Sequence, residues 1–173
     1  MIYLLEGPDG TGKSTLAKLL VDFSFRAKRS CMYYHCTSTS QSTKLSVEKA
    51  YKIFLKDLKK WKAFDYDVVI DRAWVSNIVY TQVYDPGKKH VSDKLSRKLF
   101  DAVDKAIICL PKNKGEYLKR FYELAQQRDE AYVDRMDKIY DKFNAFAESY
   151  IRYDITKHLT DDVTTIKIEE IND

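Results

Sequence analysis

Three cysteines in 173 residues, Cys31, Cys36 and Cys109, form an odd and sparse set. That argues against a disulfide scaffold and suits a reducing cytoplasm. Cys31, His35 and Cys36 match no common zinc spacing and supply too few ligands, so they read as packing residues. No apolar run approaches the length needed to span a membrane. The opening apolar stretch, Ile2–Leu5, is interrupted by Glu6, too soon for a signal peptide. No basic block stands out, and the net charge is only +4, which suits phosphate ligands without requiring nucleic acid. Repeats, low-complexity tracts and linkers are also missing. What remains is 45% hydrophobic and 32% charged, the composition of one soluble globular domain over residues 1–173. The oligomeric state stays open, a homodimer being one option.

The most informative stretch is the first, IYLLEGPDGTGKST. Ile2–Leu5 reads as a short buried strand. Gly7 to Ser14 then fits G-x-x-x-x-G-K-[ST], a phosphate-binding loop. Gly7 and Gly12 allow backbone angles that a Cβ would hinder, so successive N–H groups can face one anion. Lys13 can reach the β- and γ-phosphates of a nucleoside triphosphate, and the Ser14 hydroxyl can bind Mg²⁺. The helix starting near Lys13 turns its positive end toward the same phosphates.

The remainder alternates between two periods. Helical patterns cover about Lys13–Ala27, Leu45–Lys62, the stretch after Arg72 to Val83, Ser92–Val103, Lys114–Arg128 and Glu130–Tyr153. Strand patterns cover Cys31–Cys36, Val68–Asp71, Lys105–Leu110 and Val163–Ile168. Alternating strands and helices predict right-handed crossovers and a parallel sheet flanked by helices. In such sheets ligands sit at the carboxyl ends of the strands. Residues 7–14, the Ser/Thr-rich loop Thr37–Thr43, Asp71-Arg72 and Pro111–Gly115 all fall there.

Asp71 closes an apolar strand, the usual place for an acid that holds Mg²⁺ directly or through water. Arg72 follows it directly, and a guanidinium there can grip phosphate oxygens in pairs.

Glu6–Thr15 (EGPDGTGKST) matches the loop EG-x-D-G-x-GK-[ST]-T, and Asp71, Arg72, Ser76 and Tyr80 match D-R-x-x-x-S with an aromatic four residues later. By these two motifs the sequence resembles the thymidylate kinase family of nucleoside monophosphate kinases. Val79-Tyr80 also fits small kinases of this group from phages and bacteria. The resemblance implies an α/β fold: a P-loop NTPase three-layer α/β/α arrangement with a five-stranded parallel sheet and a helical lid. It implies ATP as phosphate donor, held with Mg²⁺ by Gly7, Pro8, Asp9, Gly10, Thr11, Gly12, Lys13, Ser14 and Thr15, with Ser14 and Asp71 on the metal. Asp9 would reach the acceptor's sugar hydroxyl, Arg72 its phosphate, and Ser76 and Tyr80 would shape its pocket. Tyr51 and Phe54 are candidates to stack on the base, with core packing as the alternative. The family's Arg-Glu-Pro after the second strand is absent, and His35-Cys36-Thr37 stands instead.

Phosphoryl transfer needs a cation on the equatorial oxygens, supplied in this family by the phosphate loop or by a lid. Pro8–Thr11 contains none, which leaves the lid, residues 112–135, with Lys112, Lys114, Lys119, Arg120, Arg128 and Arg135. Arg120 and Arg128 lie eight apart, close to one helical face, and are favoured. The expected activity is ATP-dependent phosphorylation of a deoxynucleotide such as dTMP. A deoxynucleoside kinase is the alternative. A polynucleotide kinase or a non-catalytic nucleotide-binding protein stands behind both. Deoxynucleoside kinases place a glutamate at the end of the second strand, and here that stretch has no acid.

Overall fold

In the computed structural model of the chain, residues 1–36, 46–125, 131–148 and 151–153 are described. β1 (Ile2–Glu6) is buried along its whole length because it runs through the middle of the sheet. β3 (Asp67–Asp71) and β4 (Lys105–Cys109) flank it, both parallel to it. β2 (Cys31–His35) adds to β3, and β5 (Ile151–Tyr153) adds to β4, giving the order β2-β3-β1-β4-β5. Among the described residues the sheet is thus four five-residue strands with a three-residue strand at one edge.

Successive β1 side chains point to opposite faces and seed two cores. Tyr3 and Leu5, with Val69 and Ile107, pack under Leu16, Ala17 and Leu20 of α1 (Lys13–Arg26). Ile2 and Leu4, with Val68, Ile70 and Ile108, meet the larger core on the other face. That core draws on α2 (Val47–Trp61), α3 (Trp74–Tyr84), α4 (Asp93–Phe100), α5 (Lys114–Ala125) and α6 (Ala131–Ala147). The result is the three-layer α/β/α arrangement. Ser46 and Ser92 cap α2 and α4, each side chain accepting from the N–H three residues on.

The C-terminal part departs from the sequence pattern. The expected strand Val163–Ile168 lies outside the described residues. The strand beside β4 is instead Ile151–Tyr153, paired from Ile107↔Ile151 to Cys109↔Tyr153. It falls where the pattern predicted a helix running on to Tyr153, and α6 ends at Ala147. Three residues, Ile-Arg-Tyr, are too few to carry a period of their own, and pairing with β4 decides their state. Among the described residues no helix is long and apolar enough to cross a membrane.

Candidate active site

The loop between β1 and α1 bends through three glycines at positive φ: Gly7 at 142°, Gly10 at 73° and Gly12 at 81°. At Gly7 the need is steric as well, since a Cβ there would lie 2.2 Å from the Cys109 carbonyl oxygen. Gly12, in the left-handed region, caps α1. The Thr11 hydroxyl donates to the Pro8 carbonyl at 2.9 Å, and Lys13 Nζ donates to the same oxygen. Lys13 is buried, and burial, with Arg72 next, pushes its pKa down to about 8. α5 rests on the loop from the other side, with Phe121 Cζ 3.8 Å from where a Gly10 Cβ would stand.

Parallel pairing of β1 and β3 puts Leu5 beside Asp71 and so brings the acid to the loop. Asp71 is buried. Its Oδ2 accepts from the Ser14 hydroxyl at 3.3 Å and from the Tyr33 hydroxyl at 2.9 Å, with His35 Nδ1 at 3.4 Å. Burial and then Asp71 raise the Tyr33 pKa to about 12, so its hydroxyl stays a donor. Asp71 Oδ1 is buried and has no hydrogen-bond partner. A hard divalent cation wants an oxygen of this kind, and the Ser14 hydroxyl, which reaches the other oxygen of the same carboxylate, completes a donor set that fits Mg²⁺. Among the described residues no group of three or more His, Cys, Asp or Glu is arranged to hold a metal. Two protein oxygens suit an ion whose other ligands are phosphates and waters.

Arg72 sits at φ 67°, a left-handed conformation that costs a non-glycine residue on the order of 1–3 kcal/mol. Its backbone N–H donates to the Leu5 carbonyl at 2.9 Å. Its guanidinium donates to the Gly7 carbonyl at 3.3 Å, to the Tyr80 hydroxyl at 3.4 Å and to the Ser76 hydroxyl at 3.5 Å, and pairs with Asp9. Burial works against this charge, but Tyr80 and Asp9 outweigh it and hold the Arg72 pKa above its ordinary value.

Glu6 underlies this arrangement. The buried carboxylate at the end of β1 accepts from the N–H groups of Ala73 at 2.8 Å, Val75 at 3.1 Å and Ser76 at 3.2 Å, and from the Ser76 hydroxyl. Burial pushes its carboxyl up, against the hydrogen bonds from Ser76 and Ala73. Sequence reasoning assigned Glu6 no role beyond the motif. The signal was there: an acid ending an otherwise apolar strand is buried, and a buried acid needs donors.

Two cavities meet at Arg72. One, of about 490 Å³, is lined by residues 9–15 together with His35, Asp71 and Arg72. The other, of about 590 Å³, lies between Cys36 and Val47 on one side and Ser76, Asn77, Tyr80 and Tyr84 of α3 on the other. Asp9, His35 and Arg72 line both. Tyr80 and Tyr84 stack one turn apart, with Arg72 over the first ring and Arg135 of α6 over the second. Asn77 lines the second cavity, and its Oδ1 is buried without a hydrogen-bond partner.

The structure therefore gathers Asp9, Lys13, Ser14, Asp71, Arg72, Ser76 and Tyr80 around one continuous space. Tyr51 and Phe54 do not join them. Both are buried in the larger core, the Phe54 ring among Tyr34, Trp61 and Trp74, and neither lines the cavities. The same 3.6-residue period that marked them as candidates is the period of the buried face of α2. Arg120 falls on α5, and Arg128 lies outside the described residues. Lys114 is tied to Asp137 and Asp141, linking α5 to α6. Tyr33 and Asn77 were not singled out by the sequence, His35 was read as a packing residue, and Arg135 was among the lid cations without being favoured.

Residues 1–109 match the model of the family described as Nephrocystin 3, N-terminal. The chain belongs to this family. The match runs from β1 to the end of β4, taking in the phosphate loop and Asp71-Arg72 and stopping before α5. The thymidylate kinase resemblance holds as well. A protein of Acidianus bottle-shaped virus (isolate Italy/Pozzuoli), provisionally named a thymidylate kinase, is 32% identical over 90 residues, covering 52% of this chain and 53% of the relative. The chain spans about half the length of the curated relative it matches. The Bacillus subtilis YorR protein, solved in complex with phosphorylated GDP, shares the fold with a TM-score of 0.68 at 19% identity, over 99% of this chain and 96% of that one. Thymidylate kinase from Ehrlichia chaffeensis gives a TM-score of 0.50 at 15% identity, over 88% and 84%. The chain shares its fold with these two proteins.

Proposed function

We propose that the chain is an ATP-dependent nucleoside monophosphate kinase, with a deoxynucleotide such as dTMP as acceptor. The observation that carries this reading is the place of Arg72 on the wall common to both cavities. A donor's phosphates in the first cavity and an acceptor's phosphate in the second would meet at that guanidinium. The viral relative named as a thymidylate kinase supports the acceptor class, and YorR, solved with phosphorylated GDP, supports a nucleotide ligand.

The loop N–H groups and Lys13 bind the donor phosphates. Ser14 and Asp71 would hold Mg²⁺, and the ion would supply positive charge to the phosphoryl group in transfer. Arg72 orients the acceptor phosphate, and its bonds to Gly7, Ser76 and Tyr80 keep it in place beforehand. Asp9 is suited to a sugar hydroxyl. Arg120 and Arg128 supply cations from the lid, residues 112–135, within one kinase domain.

The acceptor's charge decides between a monophosphate and a nucleoside. A 5′-hydroxyl gains from a general base, whereas a phosphate with a second pKa of about 6 is largely dianionic at neutral pH and needs none. Both oxygens of Glu6 are committed to the start of α3, and Asp71 lies with the metal residues. That favours the phosphate acceptor, which needs a cation, and Arg72 is one. The experiment is release of ADP from ATP and Mg²⁺ with dTMP or thymidine at equal concentration. The dTMP reaction should be faster, and Arg72→Ala should lower it by about a hundredfold. A faster reaction with thymidine would overturn the reading.

A further inference from the structure

β2 is an edge strand whose side chains alternate between faces. Tyr34 turns to the α2 side and stacks on Phe54 with ring centroids 5.6 Å apart. Tyr33 and His35 turn to the other side, and both reach Asp71 on β3. The register explains how: His35 pairs with Asp71, while Tyr33 pairs with Val69, so the longer side chain spans two residues along the ladder. Tyr33 is 48% exposed, so burial of its ring is not what holds it there. Its hydroxyl turns inward to Asp71 Oδ2.

Three groups face that oxygen. The Tyr33 hydroxyl is nearest at 2.9 Å, Ser14 Oγ stands at 3.3 Å and His35 Nδ1 at 3.4 Å. A hydroxyl donor at 2.9 Å is within the ordinary range, and the other two are long. Ser14 is itself a metal residue in the proposed site. A carboxylate rotates in a broad, roughly two-fold well, so its two oxygens are interchangeable until a donor fixes one of them. Here one oxygen is taken and the other, Oδ1, is buried and unpartnered.

We infer that Tyr33 is a positioning residue: its hydroxyl holds Asp71 Oδ2 and so reserves Oδ1 for the divalent cation. This rests on the reading of Asp71 and Ser14 as holders of Mg²⁺. Partners that hold a ligating carboxylate commonly carry a tenfold or larger share of metal affinity.

Mn²⁺ serves as the probe, titrated into protein saturated with ADP, with free Mn²⁺ read by electron paramagnetic resonance. Tyr33→Phe removes one oxygen from a half-exposed ring and leaves Asp71 Oδ2 with Ser14 and His35, so the protein should stay folded with a modest fall in melting temperature, and metal-free ADP affinity should stay at the wild-type value. Mn²⁺ affinity should fall by about tenfold. In an Asp71→Asn background, adding Tyr33→Phe should change nothing further, because its route to the metal is gone. If Asp71→Asn weakens Mn²⁺ while Tyr33→Phe leaves it unchanged, or if the two losses add, the positioning role is wrong. If Asp71→Asn leaves Mn²⁺ binding intact, the metal assignment fails first and the role of Tyr33 falls with it.

Discussion

Glu6, the last residue of β1, holds Ser76 in the first turn of α3 twice: the Ser76 N–H donates to Glu6 Oε2 at 3.2 Å and its hydroxyl donates to the same oxygen. The other carboxylate oxygen takes the N–H groups of Ala73 and Val75. A helix begins with amide groups that have no partner within it, and Ala73 offers no side-chain cap. One buried carboxylate closes that end of α3. Arg72 stands directly before Ala73, the N-cap of α3, so the carboxylate also sets where the arginine enters the cavities.

Glu6→Ala should therefore loosen both the helix and the site. Three buried N–H groups and one hydroxyl would lose their acceptor, and unsatisfied groups of this kind cost about 1–3 kcal/mol each. Partial relaxation and entering water reduce the sum, so a loss of about 3 kcal/mol is expected. Urea unfolding measures it. A loss below about 1 kcal/mol would mean that the start of α3 is held by something else.

Lys13 should make stability depend on pH. Its folded pKa, about 8, is below the ordinary lysine value of 10.5, so the unfolded chain binds more protons between those limits. Stability then rises with pH across that window, and below about pH 8 the protein carries the cost of a buried ammonium. The difference corresponds to roughly 3 kcal/mol at most. Lys13→Met keeps the bulk without the charge. It should be more stable than wild type at neutral pH, and the gap should narrow above pH 8. Denaturant unfolding of the ligand-free proteins from pH 7 to 10 is the measurement, and a gap that does not change with pH would contradict this account.

Gly7→Ala should damage the loop before any ligand is considered. The new Cβ would lie 2.2 Å from the Cys109 carbonyl oxygen, on backbone of the neighbouring strand, and φ is 142°. The loop must move away from β4, which separates its N–H groups from the place they share. ADP binding by calorimetry should fall by more than about tenfold, with a loss of about 2 kcal/mol or more in stability. Gly87→Ala is the control, since nothing lies within 4 Å of a Cβ there.

The phosphate loop was legible because its work is local. Its donors, its lysine and the start of its helix lie within residues 7–15, and glycine spacing records the backbone angles they need. Strand and helix periods likewise record which face is buried, and they placed β1 to β4, α1 to α5 and the start of α6 near their observed ranges. Asp71 and Arg72 were legible because the end of a parallel strand is where such a fold gathers ligands.

Contacts across the chain were decided by the tertiary structure. Glu6 meets Ala73 across 67 positions and Tyr33 meets Asp71 across 38, and both depend on the register of strands that no local pattern specifies. Tyr51 and Phe54 show the same limit from the other side. Helical spacing put them on one face of α2, but only the packing of α2 over the sheet turned that face into the core and away from the cavity. β5 formed at Ile151–Tyr153 because β4 had an edge to pair with, and an edge is a property of the folded sheet. Backbone preferences act within a few residues, and the sequence carries those openly. Which distant groups come to share a hydrogen bond or a cavity follows from crossovers and register, and these exist only once the chain has folded.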